Sequence, residues 1–235
     1  MIIDHRIQIS LMCPACGNYY YGSGVRSYNT FGATVFSDGY IRACHNPLWL
    51  TRCPKCNQYF AKEHLFELPI PIDVIPENPY LPYKAKKLLE NTEQFGRLDG
   101  YFSDEETKMD FIEKAIAQGQ YYPINVHESK KAQFKLRLHK DLWHEYNMNR
   151  DKRSDEVYIK LCRDIIDMME DKTMLTYEDR LTLAELYRNV GEFERCLIML
   201  DGMNRNQNTV KFIDAISAEA LKKNEKTVVV VEGNW

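Results

Sequence analysis

The chain has 235 residues, a formal net charge of −3, 44% hydrophobic and 28% charged residues. That length accommodates about two domains, and the composition excludes a largely disordered chain. The charge excludes a dominant phosphate-binding footprint, and no apolar run approaches the roughly 18 residues of a membrane span.

Met1 to Leu11 carry Asp4, His5 and Arg6 where a secretory leader would have an apolar core, so a soluble, cytoplasmic protein is expected. The first motif in chain order is Cys13-Pro14-Ala15-Cys16, answered by Cys53-Pro54-Lys55-Cys56. Two Cys-x-x-Cys knuckles supply four thiolates for a tetrahedral Zn2+, and four protein sulfurs leave no open coordination position. The expected ligands are Cys13, Cys16, Cys53 and Cys56, and the expected role is to hold a small β-rich zinc ribbon together. Disulfides among them are the alternative for an exported chain. The other three of the seven cysteines, Cys44, Cys162 and Cys196, have no framework spacing and read as reduced thiols.

Between the knuckles lie 36 residues, 17–52, about twice a compact ribbon's insert. Tyr19-Tyr20-Tyr21 and Asn29 to Phe36 are β-prone, Tyr21-Gly22-Ser23-Gly24 reads as a turn, and Asp38-Gly39 is a hairpin signal. Tyr28, Asn29, Phe31, Gly32, Ser37, Asp38, Gly39, Cys44, His45, Asn46 and Trp49 make this insert the expected site of a function-specific surface. Cys44-His45 has three readings: structural residues, use by a metal, or a nucleophile with its base, the last disfavoured because adjacent side chains point apart. His5 and His64 read as surface or hydrogen-bonding groups.

Five prolines between Leu68 and Pro82 mark an extended connector. Beyond it the pattern is helical. Pro82 can open a helix carrying Ala85, Leu88, Leu89 and Phe95. Ser103-Asp104-Glu105-Glu106 has capping-box spacing before Phe111, Ile112, Ala115 and Ile116, with Gly119 as the stop. A third helix, 129–148, aligns Phe134, Leu138, Leu142 and Tyr146. A fourth starts at Ser154 with Val157, Leu161, Ile165 and Met168 or Met169 inward. A fifth from Thr176 and a sixth after Gly191 form a hairpin, and a last helix, 209–223, turns Phe212, Ile213 and Ile216 inward. Thr227 to Val231 is strongly β-prone and is expected to pair with a strand or bury against helices, a disordered tail being the alternative. The resulting organisation is α+β: a ribbon domain 1–68 containing the insert, a linker 69–82, an all-α helical-hairpin domain 83–225, and a β-prone tail 226–235.

Charge is unevenly placed. Residues 129–153 carry a net +5 and residues 154–187 a net −5, while residues 1–80 are neutral before the −2 of a four-thiolate zinc centre. Lys130, Lys131, Lys135, Arg137 and Lys140 are candidate phosphate contacts with Trp143 as a base-stacking partner, against the plainer reading of two attracting or solvated faces. His139 and His144 stand five residues apart, about 140° around a helix, and do not share a metal. There is no His-Glu-x-x-His, phosphate-loop or nucleophile-elbow motif.

The hairpin resembles one tetratricopeptide repeat: Leu183, Ala184, Tyr187, Gly191, Phe193, Cys196 and Leu200 fall at its packing positions, with Arg180 and Asn208 where that repeat usually has tryptophan and proline. Cys-Pro-x-Cys-Gly, Ser-Tyr-Asn-Thr-Phe-Gly-Ala (27–33), Phe-Ser-Asp-Gly (36–39), the second Cys-Pro-x-Cys and Ala-Glu-Leu-Tyr-Arg-Asn-x-Gly-Glu-Phe (184–193) together resemble uncharacterised bacterial proteins that join a zinc ribbon to a tetratricopeptide-like helical region. The resemblance implies that architecture, zinc on the four knuckle cysteines and a bacterial cytosolic setting, and no activity. The expected function is a non-enzymatic, zinc-stabilised interaction module or adaptor for a protein partner. Nucleic-acid binding through the ribbon and the basic 129–153 helix is the alternative, and an enzyme using Cys44 or His45 is a third.

Overall fold

A computed structural model of the chain describes residues 6–25, 33–42, 49–61, 66–68, 107–119, 127–149, 154–172, 174–207 and 209–231. Along them run β1 (Arg6–Met12), β2 (Tyr19–Val25), β3 (Thr34–Phe36), β4 (Ile41–Arg42), β5 (Leu50–Arg52), β6 (Tyr59–Ala61), β7 (Phe66–Leu68), α1 (Lys108–Gln118), α2 (Glu128–Met148), α3 (Asp155–Glu170), α4 (Tyr177–Asn189), α5 (Phe193–Asp201), α6 (Val210–Leu221) and β8 (Val229–Val231). The class is α+β, with small sheets first and a helical later part. The chain divides into two compact units, Met1–Asn29 with Asn46–Ala132, and Thr30–His45 with Gln133–Trp235.

In the first unit, β1 pairs antiparallel with β2 and, on its other edge, with β7, while β5 and β6 form a separate hairpin. Tyr21-Gly22-Ser23-Gly24, expected as a turn, is strand instead. Seven consecutive residues of β1 offer it a ladder, from Arg6 opposite Val25 to Met12 opposite Tyr19, and that pairing overrides the turn preference of glycine. Helix α1 belongs to this unit too, although its predicted place was in the 83–225 helical domain. Its Phe111 ring meets Tyr59 of β6 edge-on at 4.8 Å, its Gln118 side chain accepts from the Tyr59 backbone N–H at 3.1 Å, and Arg52 lies over the Phe111 ring at 5.5 Å. The capping box that starts α1 is Thr107 with Asp110; the expected one, 103–106, lies outside the described residues. Gly119 ends the helix as expected, at φ 74°, with its N–H on the Ala115 and Ile116 carbonyls. The connector 69–82 and the predicted helix opened by Pro82 also lie outside the described residues.

The second unit contains the middle of the insert between the knuckles, which was expected to stay with the ribbon. β3 and β4 form the hairpin signalled by Asp38-Gly39, with Gly39 at φ 80°, and β8 pairs antiparallel with the other edge of β3. Of the outcomes expected for the valine run, strand pairing is the one found: Val231 lies opposite Val35, Val229 opposite Phe36, and the Ser37 N–H donates to the Val228 carbonyl at 2.8 Å. Backbone donors of a short hairpin and of an otherwise bare edge are thereby satisfied together.

The helices of this unit follow the apolar periodicity of the sequence. Phe134, Leu138, Leu142 and Tyr146 are all buried on α2. On α3, Leu161, Ile165 and Met169 are buried but Val157 is 48% exposed. Tyr158 takes the inner place instead, because its phenol donates to the Asn147 side chain at 2.6 Å and its ring lies 6.3 Å from that of Tyr146. Helices α4 and α5 turn at Gly191, φ 79°, where the Glu192 N–H reaches back to the Tyr187 carbonyl at 2.8 Å. Of the residues expected at their contact, Leu183, Ala184, Tyr187, Cys196 and Leu200 are buried and Phe193 is half-buried. Every residue from Leu183 to Asn189 is buried, so α4 is a central helix without a solvent face there.

The N-cap of α4 is the predicted Thr176: its hydroxyl accepts from the Asp179 N–H, and the Asp179 carboxylate accepts from the Thr176 N–H. Thr176→Ala leaves first-turn donors unmet at the end of a central helix and is expected to lower stability by about 1 kcal/mol. The shift of the urea midpoint, followed by far-ultraviolet circular dichroism, measures it.

Candidate metal centre

Each knuckle is the connection of a β-hairpin. Cys13 to Asn18 joins β1 to β2, and Cys53 to Gln58 joins β5 to β6. The two turns repeat the same backbone bonds: the Gly17 N–H donates to the Cys13 carbonyl at 2.9 Å and the Cys13 N–H to the Asn18 carbonyl at 2.8 Å, while Asn57 to Cys53 and Cys53 to Gln58 both measure 2.9 Å. Gly17 at φ 68° and Asn57 at φ 58° occupy the same left-handed step, open to glycine and tolerated by asparagine. That step turns the chain after the second cysteine, so both sulfurs of a knuckle face the other knuckle.

All four sulfurs lie within 4.8 Å of one another. Cys13 and Cys56 are 3.7 Å apart, as are Cys16 and Cys53. A metal bonded at about 2.3 Å to four tetrahedral sulfurs sets them about 3.8 Å apart, whereas a disulfide needs about 2.05 Å. The arrangement therefore fits a metal ion and does not contain the disulfides of the alternative reading. Cys13 and Cys53 are buried with Leu11, Tyr20 and Phe60, and Cys16 and Cys56 pack half-buried against that cluster.

The crowded thiols of the cluster perturb one another. The Cys13 thiol beside Cys53 lowers the Cys53 thiol, assisted against burial by the N–H groups of Cys56 and Lys55. The same contact, with burial, raises Cys13 despite N–H groups from Cys16 and Ala15, and burial raises Cys56. A bound divalent cation would supply the positive charge that four crowded sulfurs lack, releasing their protons.

The second unit uses the remaining candidate residues of the insert for internal bonds. Ser37 donates to the Glu185 carboxylate at 2.6 Å and accepts from the Val228 N–H at 3.0 Å. Glu185 and Arg188, both 0% exposed, form a two-pronged pair at 2.5 and 2.9 Å, and Arg188 also donates to the carbonyls of Asn224 and Lys226. Beside them, Asp38 lies 3.0 Å from His144 Nδ1, accepts from Asn147 at 2.7 Å and takes the Tyr40 N–H on its other oxygen. Ser37 and Asp38, expected on a functional surface, are thus buried. Their hydroxyl and carboxylate fasten the β3–β4 turn to α4 and α2, each satisfied by a partner that would be costly to leave alone.

Burial raises the Asp38 carboxyl, but the His144 bond and charge, Asn147 and the Tyr40 N–H outweigh it and leave the group below the ordinary 3.8. A lowered carboxyl stabilises the fold above its unfolded value and stops doing so as pH falls through the folded one. Stability should consequently fall below about pH 3.8, and Asp38→Asn should flatten that limb; denaturant midpoints across acid pH give both slopes.

The basic stretch is dispersed by the fold. Lys130, Lys135 and Arg137 are exposed on α2, Lys131 is paired with Glu128 at 2.5 Å, and burial lowers the Lys140 ammonium beside Asp179. Trp143, proposed as a stacking partner, is 0% exposed with its indole N–H on Asn189 at 3.1 Å. It belongs to the core because it lies one step from Leu142 on the inward face of α2. His139 is buried with Nδ1 on the Lys135 carbonyl at 2.7 Å, and His144 holds Asp38, so neither joins a metal site. Cys44, His45, His5 and His64 lie outside the described residues. The cluster that the sequence reading missed, Glu185 with Arg188, had a signal: both charges fall on the same helical face as Leu181 and Ala184.

No protein-family model matches the chain, and no match was found among curated proteins or solved structures. Among the described residues, no helix is long and apolar enough to cross a membrane.

Proposed function

We propose that this chain is a non-enzymatic interaction module or adaptor, stabilised by zinc on Cys13, Cys16, Cys53 and Cys56, that binds a protein partner in a bacterial cytosol. The observation that carries the reading is the donor set: four sulfurs at mutual distances of a tetrahedral centre, with no place for a water or substrate on the ion. Zinc there supplies Lewis-acid charge to the thiolates, and its contribution is folding free energy. Leu11, Tyr20 and Phe60 keep water from one side of the cluster, and the knuckle N–H groups hold the sulfur charge. Glu185, Arg188, Asp38 and His144, which in another setting could do acid–base chemistry, here bond one another. The buried contact between α4 and α5 supports the likeness to a tetratricopeptide hairpin, a unit that buries one face on its neighbour and offers a partner another.

The test is affinity capture of the full chain from native-cell lysate, with half of the lysate treated with nuclease. A protein partner that survives nuclease and rebinds the purified chain as the pure protein supports the module. Binding only to nucleic acid, weakening steeply as salt rises, replaces it with the alternative carried by exposed Lys130, Lys135 and Arg137. Absence of any partner over a range of salt overturns both.

A further inference from the structure

The four knuckle sulfurs are not equivalent. Cys13 and Cys53 are 1% and 0% exposed, whereas Cys16 and Cys56 are half-buried at the outer side of the cluster. Each outer sulfur stands 3.7 Å from an inner sulfur of the opposite knuckle, Cys56 from Cys13 and Cys16 from Cys53. A small oxidant approaching from solvent meets an outer sulfur first. An inner sulfur of the opposite knuckle then stands less than 2 Å of travel from disulfide distance, about 2.05 Å.

We propose that the metal centre is also an oxidation site for peroxides, with Cys16 and Cys56 as the attacked sulfurs and Cys53 and Cys13 as the sulfurs that resolve them. The proposal rests on the reading that these four cysteines hold zinc. The Cys56 thiolate attacks one oxygen of hydrogen peroxide; the O–O bond breaks, a sulfenic acid forms and hydroxide leaves. The Cys13 thiolate then attacks the Cys56 sulfur, the S–O bond breaks, the second hydroxide leaves, and a Cys13–Cys56 disulfide remains. Two protons from the buffer acid convert the hydroxides to water, and the two sulfurs together have lost two electrons. Cys16 and Cys53 repeat the sequence with a second peroxide. Each disulfide removes two ligands, so the ion is released and the staple between the two hairpins is replaced by covalent cross-links. Cys162 and Cys196 are buried at 0% in the helical unit, and burial pushes the Cys196 thiol up to about 12. Cys196 has little thiolate, and both buried cysteines serve as internal controls.

The experiment uses the full chain carrying Cys44→Ser, loaded with zinc and treated with stoichiometric hydrogen peroxide in the presence of a chromogenic zinc chelator. Bound zinc is measured first; a chain that holds none overturns the metal reading itself. With zinc bound, the expected result is release of about one ion per two peroxides, Cys13–Cys56 and Cys16–Cys53 linkages in the peptide map, and reloading after dithiothreitol. A sulfenic-acid trap present during oxidation should label Cys56 and Cys16. Retention of zinc, linkages within a knuckle, trapping on Cys13 and Cys53, or prior oxidation of Cys162 or Cys196 overturns the proposal while leaving the zinc site standing.

Discussion

Cys53→Ser is expected to empty the metal centre and unfold the two knuckles, with the helical far-ultraviolet signal of the second unit largely kept. Binding of structural zinc to small thiolate sites is worth about 10–16 kcal/mol near neutral pH, well above what the short strands β5 and β6 and a few buried side chains offer in its place. Cys53 is also one of the two fully buried sulfurs of the cluster. A serine hydroxyl is shorter and does not ionise near neutrality, so it leaves three sulfurs around an incomplete tetrahedron. Metal analysis and backbone amide spectra read the result. Cys162→Ala, which removes a buried sulfur outside the cluster, should lose packing energy and keep its zinc. A Cys53→Ser chain with full metal content and native knuckle spectra would remove the staple from the account.

Arg188→Met is expected to cost about 3–5 kcal/mol, the range for removing one partner of a buried pair. Methionine fills the volume but leaves the Glu185 carboxylate charged and enclosed, with Ser37 as its remaining donor, and takes the donors from the Asn224 and Lys226 carbonyls. The loss should appear as a lower denaturant midpoint and as faster amide exchange in β8. Burial already pushes the Glu185 carboxyl up against the pull of Arg188. A folded-state value above the unfolded one means that protonation favours the fold, so stability declines as pH rises through the interval above about 4.5. Without the guanidinium that interval widens upward, and the deficit of the variant should shrink on acidification. Glu185→Leu combined with Arg188→Met should recover much of the loss, because no enclosed charge is left. An Arg188→Met chain as stable as the parent at neutral pH would show that the pair contributes nothing to holding β8.

The parts of the fold that could be read in advance depend on neighbours in sequence. Cys-x-x-Cys spacing, the Thr176 cap, the Gly119 stop, the Gly191 turn and the apolar stripe of α2 are all fixed within a few residues, and each is found where its local chemistry puts it. What could not be read this way depends on partners far along the chain. Tyr21 to Gly24 look like a turn until β1 is laid beside them. Val157 looks like a core residue until Asn147 claims Tyr158. Ser37 and Asp38 look like a polar surface until α4 and α2 supply Glu185 and His144, 148 and 106 residues away. At the metal centre the ligands follow from spacing alone. The inequality between inner and outer sulfurs does not, because it arises from the packing of Leu11, Tyr20 and Phe60 on one side.

The sheet that joins β3 to β8 also sets a timetable. The Ser37 hydroxyl and the Val228 N–H that close it are 191 residues apart. At synthesis rates of roughly 5–20 residues per second, β3 and β4 exist for about 10–40 s before the strand that flanks them is made. Through that interval the turn has no β8, for most of it neither Glu185 nor Arg188, and the edge of β3 is open to any other extended segment. The knuckles face no such delay, since the second follows the first by only 40 residues and a metal ion can clasp both while the helices are still being made. The nascent protein therefore acquires its staple early and its last strand late, and among the described strands β3 is the one that waits longest for a partner.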